Sequence, residues 1–153
     1  MKNLLVLIIA LFAFFGCGDD ESSNANFKEF SPNEEVKLVD VSGKELTLVR
    51  KDHGFAIKND ENKVLMIDIF GTFCPPCQKE AAELTKYQLE NKDKFTLIGL
   101  THFENVTNEY VLHEFMQKFN AYYFITNDQK INDRLAEQIV RDIEYKHEIA
   151  LPF

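Results

Sequence analysis

A chain of 153 residues with 45% hydrophobic content has material for one domain and one core, with room for appended segments. Its formal charge of -8, without any cluster of lysine and arginine, argues against a basic surface for nucleic acid or anionic lipid head groups. Three cysteines, Cys17, Cys74 and Cys77, are too few for a disulfide-dense scaffold, and Cys74 and Cys77 lack the second close pair that a four-cysteine structural zinc site needs.

Met1-Lys2-Asn3 and the apolar run Leu4 to Phe15 have the layout of a secretory signal, and the run is too short to span a bilayer as a helix. Gly16-Cys17 follows and resembles the lipobox of bacterial lipoproteins, in which the cysteine is acylated and becomes the mature N-terminus; Phe14 stands where that family usually has Leu. The alternative is an ordinary signal peptide cleaved nearby, with Cys17 incidental. Residues 1–16 are thus expected to be a signal peptide and Cys17 the lipid attachment site. Several acyl chains, at about 0.8 kcal/mol per buried methylene, would anchor the chain without a spanning helix. Residues 17–26 are small, polar and acidic and read as a flexible tether, so that the domain is expected over residues 27–153.

Val36 to Val41 and Glu45 to Val49 alternate about Ser42-Gly43-Lys44 and predict a β-hairpin. His53-Gly54 and Asn59 to Asn62 mark loops, with His53 read as solvated. Val64 to Phe70 is nearly continuous apolar, as in a strand buried on both faces, and Asp68 is the anomaly in it. Pro75 and Pro76 suit the first turn of a helix, where a missing N–H is no loss, and the helix continues to Asn91 with Ala81, Leu84 and Tyr87 on one side. Phe95 to Leu100 is a second apolar strand, so strand, helix and strand make a right-handed crossover with parallel strands. A second helix over Asn108 to Phe119, a short strand at Ala121 to Ile125 and a third helix from Ile131 to Ile143 follow. Ile149 to Phe153 reads as the entry to another apolar strand.

The chemistry lies in Cys74-Pro75-Pro76-Cys77. A cysteine at a helix N-terminus sits among free N–H groups and the positive end of the helix dipole, so the Cys74 thiolate forms more easily than that of a free thiol. Cys77, one turn on and deeper, is placed to form a disulfide with Cys74. Cys74 is therefore read as the attacking nucleophile and Cys77 as the resolving thiol. Asp68, buried among apolar neighbours, would have a raised pKa and would take the proton from Cys77; the alternative is an edge position with Asp68 facing water. Pro75 and Pro76 stiffen the loop without offering N–H groups to either sulfur.

A strand carrying Asp68, then Phe73-Cys74-Pro75-Pro76-Cys77 and a helix, resembles the thioredoxin-like superfamily. With the secretory segment, the preceding hairpin and the long insert before the last strand, the chain most resembles the TlpA/ResA-like extracytoplasmic thiol:disulfide oxidoreductases. The resemblance implies an α/β thioredoxin-like fold with an N-terminal β-hairpin. Phe70 and Phe73 occupy positions where those relatives often have Trp, in a chain with fourteen Phe and no Trp. Leu151-Pro152-Phe153 matches the cis-proline segment that faces the family's cysteines. Asp68 matches the buried acid of thioredoxin, whereas the TlpA-like branch more often has Asn. In the family two strands and a helix follow the cis-proline, and the sequence lacks them, so a truncated domain is expected.

The resemblance further implies a periplasm-facing protein, lipid-anchored to a bacterial envelope membrane, that reduces disulfides of partner proteins such as apocytochrome c. A membrane thiol-transporting reductant would recharge it. The pair itself is the redox centre, and no cofactor or metal is expected. Two other readings stay open: a Cu(I) metallochaperone using Cys74 and Cys77 with His102 or His147, and an inactive truncated lipoprotein. His102, His113 and His147 otherwise read as solvated.

Overall fold

The computed structural model describes residues 27–153; the expected signal peptide, Cys17 and the tether lie outside the described residues. The predicted hairpin forms as β1 (Glu35–Val39) and β2 (Glu45–Arg50), paired antiparallel with Val36 opposite Leu48. The turn is held by the Asp40 carboxylate, which accepts from the backbone N–H groups of Ser42 and Lys44 and from the Ser42 hydroxyl. A third strand, β3 (Phe55–Ile57), extends the hairpin to a three-stranded antiparallel sheet. Three residues are too few to register as an alternating pattern, so this segment reads as loop in the sequence.

The second sheet is parallel, in the order β4 (Val64–Phe70), β5 (Phe95–Thr101), β6 (Phe124–Thr126). α1 (Pro75–Glu90) makes the crossover from β4 to β5. Between β5 and β6 the chain is helical from Asn108 to Phe119: α2 (Asn108–Tyr110) runs through a π-helical turn (Val111–Phe115) into α3 (Met116–Phe119). α4 (Gln129–Asp142) follows, capped by the Asp128 carboxylate, which accepts from the Ile131 N–H. Among the described residues no helix is long and apolar enough to cross a membrane.

Alternation along the strands divides the interior into two cores. Phe70, Leu97 and Ile125 face α1 and the helical segment after β5, where Phe70 and Phe115 stack with centroids 5.1 Å apart. Ile69, Ile98 and Leu100 face the antiparallel sheet and Leu135 of α4. Burying a ring such as Phe70 stabilises the fold by about 2–3 kcal/mol. The two sheets meet where Val41 N–H donates to Ile125 C=O at 2.9 Å. Arg50 on β2 ties the antiparallel sheet to α4 by pairing both guanidinium ends with Asp142, which also accepts from Gly54 N–H and the Gln138 amide.

Three details depart from the periodicity. Tyr87, expected with Ala81 and Leu84 on the inner side of α1, is 52% exposed. The buried stripe is instead Cys77, Ala81 and Thr85, a four-residue spacing. Thr85 can face inward because its hydroxyl donates to Asn120 C=O (2.6 Å) and accepts from Tyr122 N–H (2.8 Å). β4 is buried on both faces only from Asp68 onward, and Val64 and Met66 are exposed. His102, expected to be solvated, is buried at the end of β5, its Nδ1 2.9 Å from Asp133 Oδ1.

Candidate active site

Cys74 is the N-cap of α1, with extended backbone (φ -83°, ψ 111°), and Pro75 and Pro76 occupy the first helical positions as expected. The sulfurs of Cys74 and Cys77 are bonded to each other, with Cα atoms 5.3 Å apart, so the chain is described in its oxidised form. Both cysteines are buried, and exposure barely separates them. Orientation does: the Cys77 backbone N–H donates to Cys74 Sγ at 3.3 Å, one of the free N–H groups of the first turn. In the reduced form this donor favours negative charge on Cys74 and offers nothing to Cys77.

The loop before the pair is built around Gly71. A Cβ there would lie 2.6 Å from Cε1 of Phe73, so any larger residue would require the Phe73 ring to shift from its position over the loop. Phe73 is nevertheless 58% exposed beside Cys74, and Pro75 and Pro76 are exposed as well, while Phe70 is fully buried beneath. Cys74 N–H donates to Gly71 C=O at 3.0 Å, closing the turn. Thr72, in the middle of it, donates its N–H and hydroxyl to the two carboxylate oxygens of Glu104, and its carbonyl accepts from Gln78 Nε2 at 2.7 Å.

Asp68 is buried, 5% exposed, on the same face of β4 as Phe70, which overturns the water-facing alternative. Burial, with a contribution from the charge of Glu80, pushes its carboxyl up to about 7, against a smaller opposing effect from the Tyr123 phenol. Burial also raises Glu80, and Tyr123 is raised by burial together with the charges of Asp68 and Glu80. Glu80 lies three residues after Cys77 and therefore on the same flank of the helix. Asp68, Glu80 and Tyr123 thus act on one another electrostatically, whereas the sequence singled out Asp68 alone.

Pro152 is half-buried, with a cis peptide bond from Leu151, and Leu151 packs against both cores. Phe153 exchanges a pair of backbone hydrogen bonds with Ile69, 2.8 and 3.0 Å, on the side of β4 away from β5. The chain end therefore lies next to Asp68. Among the described residues no group of three or more His, Cys, Asp or Glu side chains is arranged to hold a metal ion. His53, His113 and His147 are exposed. A groove of about 330 Å³ along α1 includes Glu80, Leu84 and Tyr87 but neither cysteine.

Glu80 could have been found from its spacing to Cys77. Glu104, Gln78 and Tyr123 carry no motif. Glu104 reaches Thr72 across 32 residues of sequence, through a loop whose course follows only from the pairing of β4 with β5.

No protein-family model matches the chain, and no curated protein matches it in sequence. Among solved structures it is similar to StoA from Bacillus subtilis, at 15% identity over 78% of this chain and 76% of that one, with a TM-score of 0.51. It is also similar to a thiol-disulfide oxidoreductase from Bacteroides fragilis (18% identity, 80% and 79% covered, TM-score 0.49). A third is a secreted disulfide oxidoreductase of Mycobacterium tuberculosis (20% identity, 65% and 66% covered, TM-score 0.47); the chain spans just under two thirds of its length. The likeness to StoA is one of fold, and the fold is thioredoxin-like.

Proposed function

We propose that the chain is a thiol:disulfide oxidoreductase acting through Cys74 and Cys77. The observation that carries this reading is the bonded pair at the start of α1, with the Cys77 N–H directed at Cys74 Sγ. In the reducing direction the Cys74 thiolate attacks a disulfide of the partner protein. The substrate S–S bond breaks, a mixed disulfide with Cys74 forms, and the displaced sulfur leaves as a thiolate that takes up a proton. Cys77 then loses its proton and attacks Cys74 Sγ. The mixed disulfide breaks, the second substrate sulfur leaves and is protonated, and the Cys74–Cys77 disulfide remains. Two electrons have passed from the pair to the substrate.

The proton of Cys77 goes to Asp68 in this scheme. A carboxyl near pH 7 is suited to the task because it is partly ionised in neutral solution and can return the proton when the pair is reduced again. Glu80, whose charge acts on Asp68, shares it in this scheme. In this reading Pro152 serves as the wall opposite the pair, as the resemblance to the cis-proline segment implies, and the exposed Phe73 ring is the contact surface beside the nucleophile.

The same proposal assigns Cys17 as a lipid anchor after removal of residues 1–16, in the periplasm-facing cell envelope. The partners are disulfides of other proteins, of the kind handled in cytochrome c maturation, and a membrane thiol-transporting reductant that recharges the pair. These assignments rest on the resemblance of the leader to lipoproteins and of the domain to TlpA/ResA-like proteins. The Cu(I) reading gains nothing from the site, since Asp133 engages His102 and His147 is exposed.

The test is reduction of a protein disulfide, such as those of insulin, by the full chain with a dithiol as electron source. Turnover that disappears in Cys74→Ser supports the proposal; equal rates for the variant and the wild type contradict it.

A further inference from the structure

We propose that Glu104 is a positioning residue for the dithiol: by clamping Thr72 it holds the Gly71–Phe73 loop so that Cys74 Sγ stays beneath the Cys77 N–H. Its purpose rests on the redox reading above, whereas the geometry does not.

Every polar group of Thr72 is engaged. Its N–H donates to Glu104 Oε1 at 2.8 Å, its hydroxyl to Glu104 Oε2 at 2.5 Å, and its carbonyl accepts from Gln78 at 2.7 Å. Thr72 is buried, so these groups have no ready exchange with water. The two anchors come from opposite sides. Gln78 directly follows Cys77 in α1, whereas Glu104 follows the end of β5, which is fixed to β4 by His102 N–H donating to Phe70 C=O at 2.8 Å. The turn that delivers Cys74 is thus suspended between the helix and the sheet.

Glu104 makes no salt bridge among the described residues, and both its oxygens are used on Thr72. A carboxylate near a forming thiolate is electrostatically unfavourable, so its charge alone would work against the nucleophile. Its contribution is therefore geometric. The stabilisation a helix start gives to a thiolate fades within one turn, which makes it sensitive to small displacements of the N-cap residue. The two effects have opposite signs and can be separated. In Glu104→Gln the amide oxygen can accept from Thr72 N–H and the amide N–H can donate to the Thr72 hydroxyl, so the clamp persists without charge. In Glu104→Ala the clamp is lost.

The test is the pH dependence of iodoacetamide alkylation of the reduced full chain, read at the Cys74 peptide by mass spectrometry. Glu104→Ala should move the alkylation midpoint to higher pH by about one unit, slowing the reaction about tenfold below the midpoint. Glu104→Gln should stay within about twofold of the wild type. Thr72→Val, which removes one of the two bonds, should move the midpoint in the same direction by less. It decides the matter if Glu104→Ala does not fold. An unmoved or lowered midpoint in Glu104→Ala, equal shifts in Ala and Gln, or no shift in Thr72→Val would overturn the proposal. A wild-type chain that alkylates as described yet turns over no disulfide would contradict the redox function and leave the clamp standing.

Discussion

Asp68 and Gly99 are register partners across β4 and β5, and the missing side chain of Gly99 is what brings the Tyr123 ring to Asp68. A Cβ at Gly99 would lie 2.9 Å from Cε2 of Tyr123 and 2.9 Å from Cε1 of Phe70. The buried carboxyl, the phenol above it and the stacked core below are therefore one packing unit.

Gly99→Ala should disturb that unit. Both neighbours are ring carbons in a filled core, so overpacking costs about 1–3 kcal/mol. Urea unfolding of the oxidised chain should show a lower midpoint with an unchanged slope. A midpoint equal to that of the wild type would mean that the Tyr123 ring moves aside freely.

Asp68 should make stability depend on pH. Its folded pKa, about 7, lies above the ordinary value of 3.8, so the folded state binds the proton more tightly. The stabilisation is fully present below about pH 4 and is lost as pH rises to about 7, amounting to on the order of 4 kcal/mol. Asp68→Asn should flatten much of this slope and be more stable than the wild type at pH 8. Parallel urea titrations at pH 5 and pH 8 check it. Turnover of the same variant should fall, on the order of 100-fold, through the resolving step.

Arg50 and Asp142 form a buried pair whose loss should be felt far from the cysteines. Asp142→Ala strands a buried guanidinium and should cost about 3–5 kcal/mol. The double variant Arg50→Met with Asp142→Leu should recover most of this, because neither partner is left unpaired. Thermal unfolding of the three chains makes the comparison.

Phe73 should matter for substrate and little for stability. Phe73→Ala should alter stability by less than about 1 kcal/mol. KM for a protein disulfide should rise on the order of tenfold, equivalent to about 1.4 kcal/mol, while the rate with a small aromatic disulfide stays near that of the wild type. Equal effects on both substrates would place the ring in support of Cys74 itself.

The elements that position the cysteines could be read from local pattern. The apolar runs of β4 and β5, Pro75 and Pro76 at the start of α1, and the spacing of Cys74 and Cys77 are properties of neighbouring residues. Asp68 was legible because a carboxylate in an apolar strand is anomalous wherever the strand sits. What escaped depends on contacts distant in sequence. Thr85 turns inward on account of Asn120 and Tyr122, the buried His102 pairs with Asp133, and Glu104 finds Thr72 only after two strands have paired. Hydrophobic periodicity carries no information about such polar pairings.

The most direct test of the account is trapping of the mixed disulfide. Incubation of reduced Cys77→Ser and Cys74→Ser chains with a protein disulfide, followed by mass spectrometry of the adducts, identifies the sulfur that attacks. Cys77→Ser should accumulate a stable adduct through Cys74, and Cys74→Ser should form little or none. An adduct that forms through Cys77 in the Cys74→Ser chain, or no adduct at Cys74 in the Cys77→Ser chain, would contradict the assignment of Cys74 as the nucleophile.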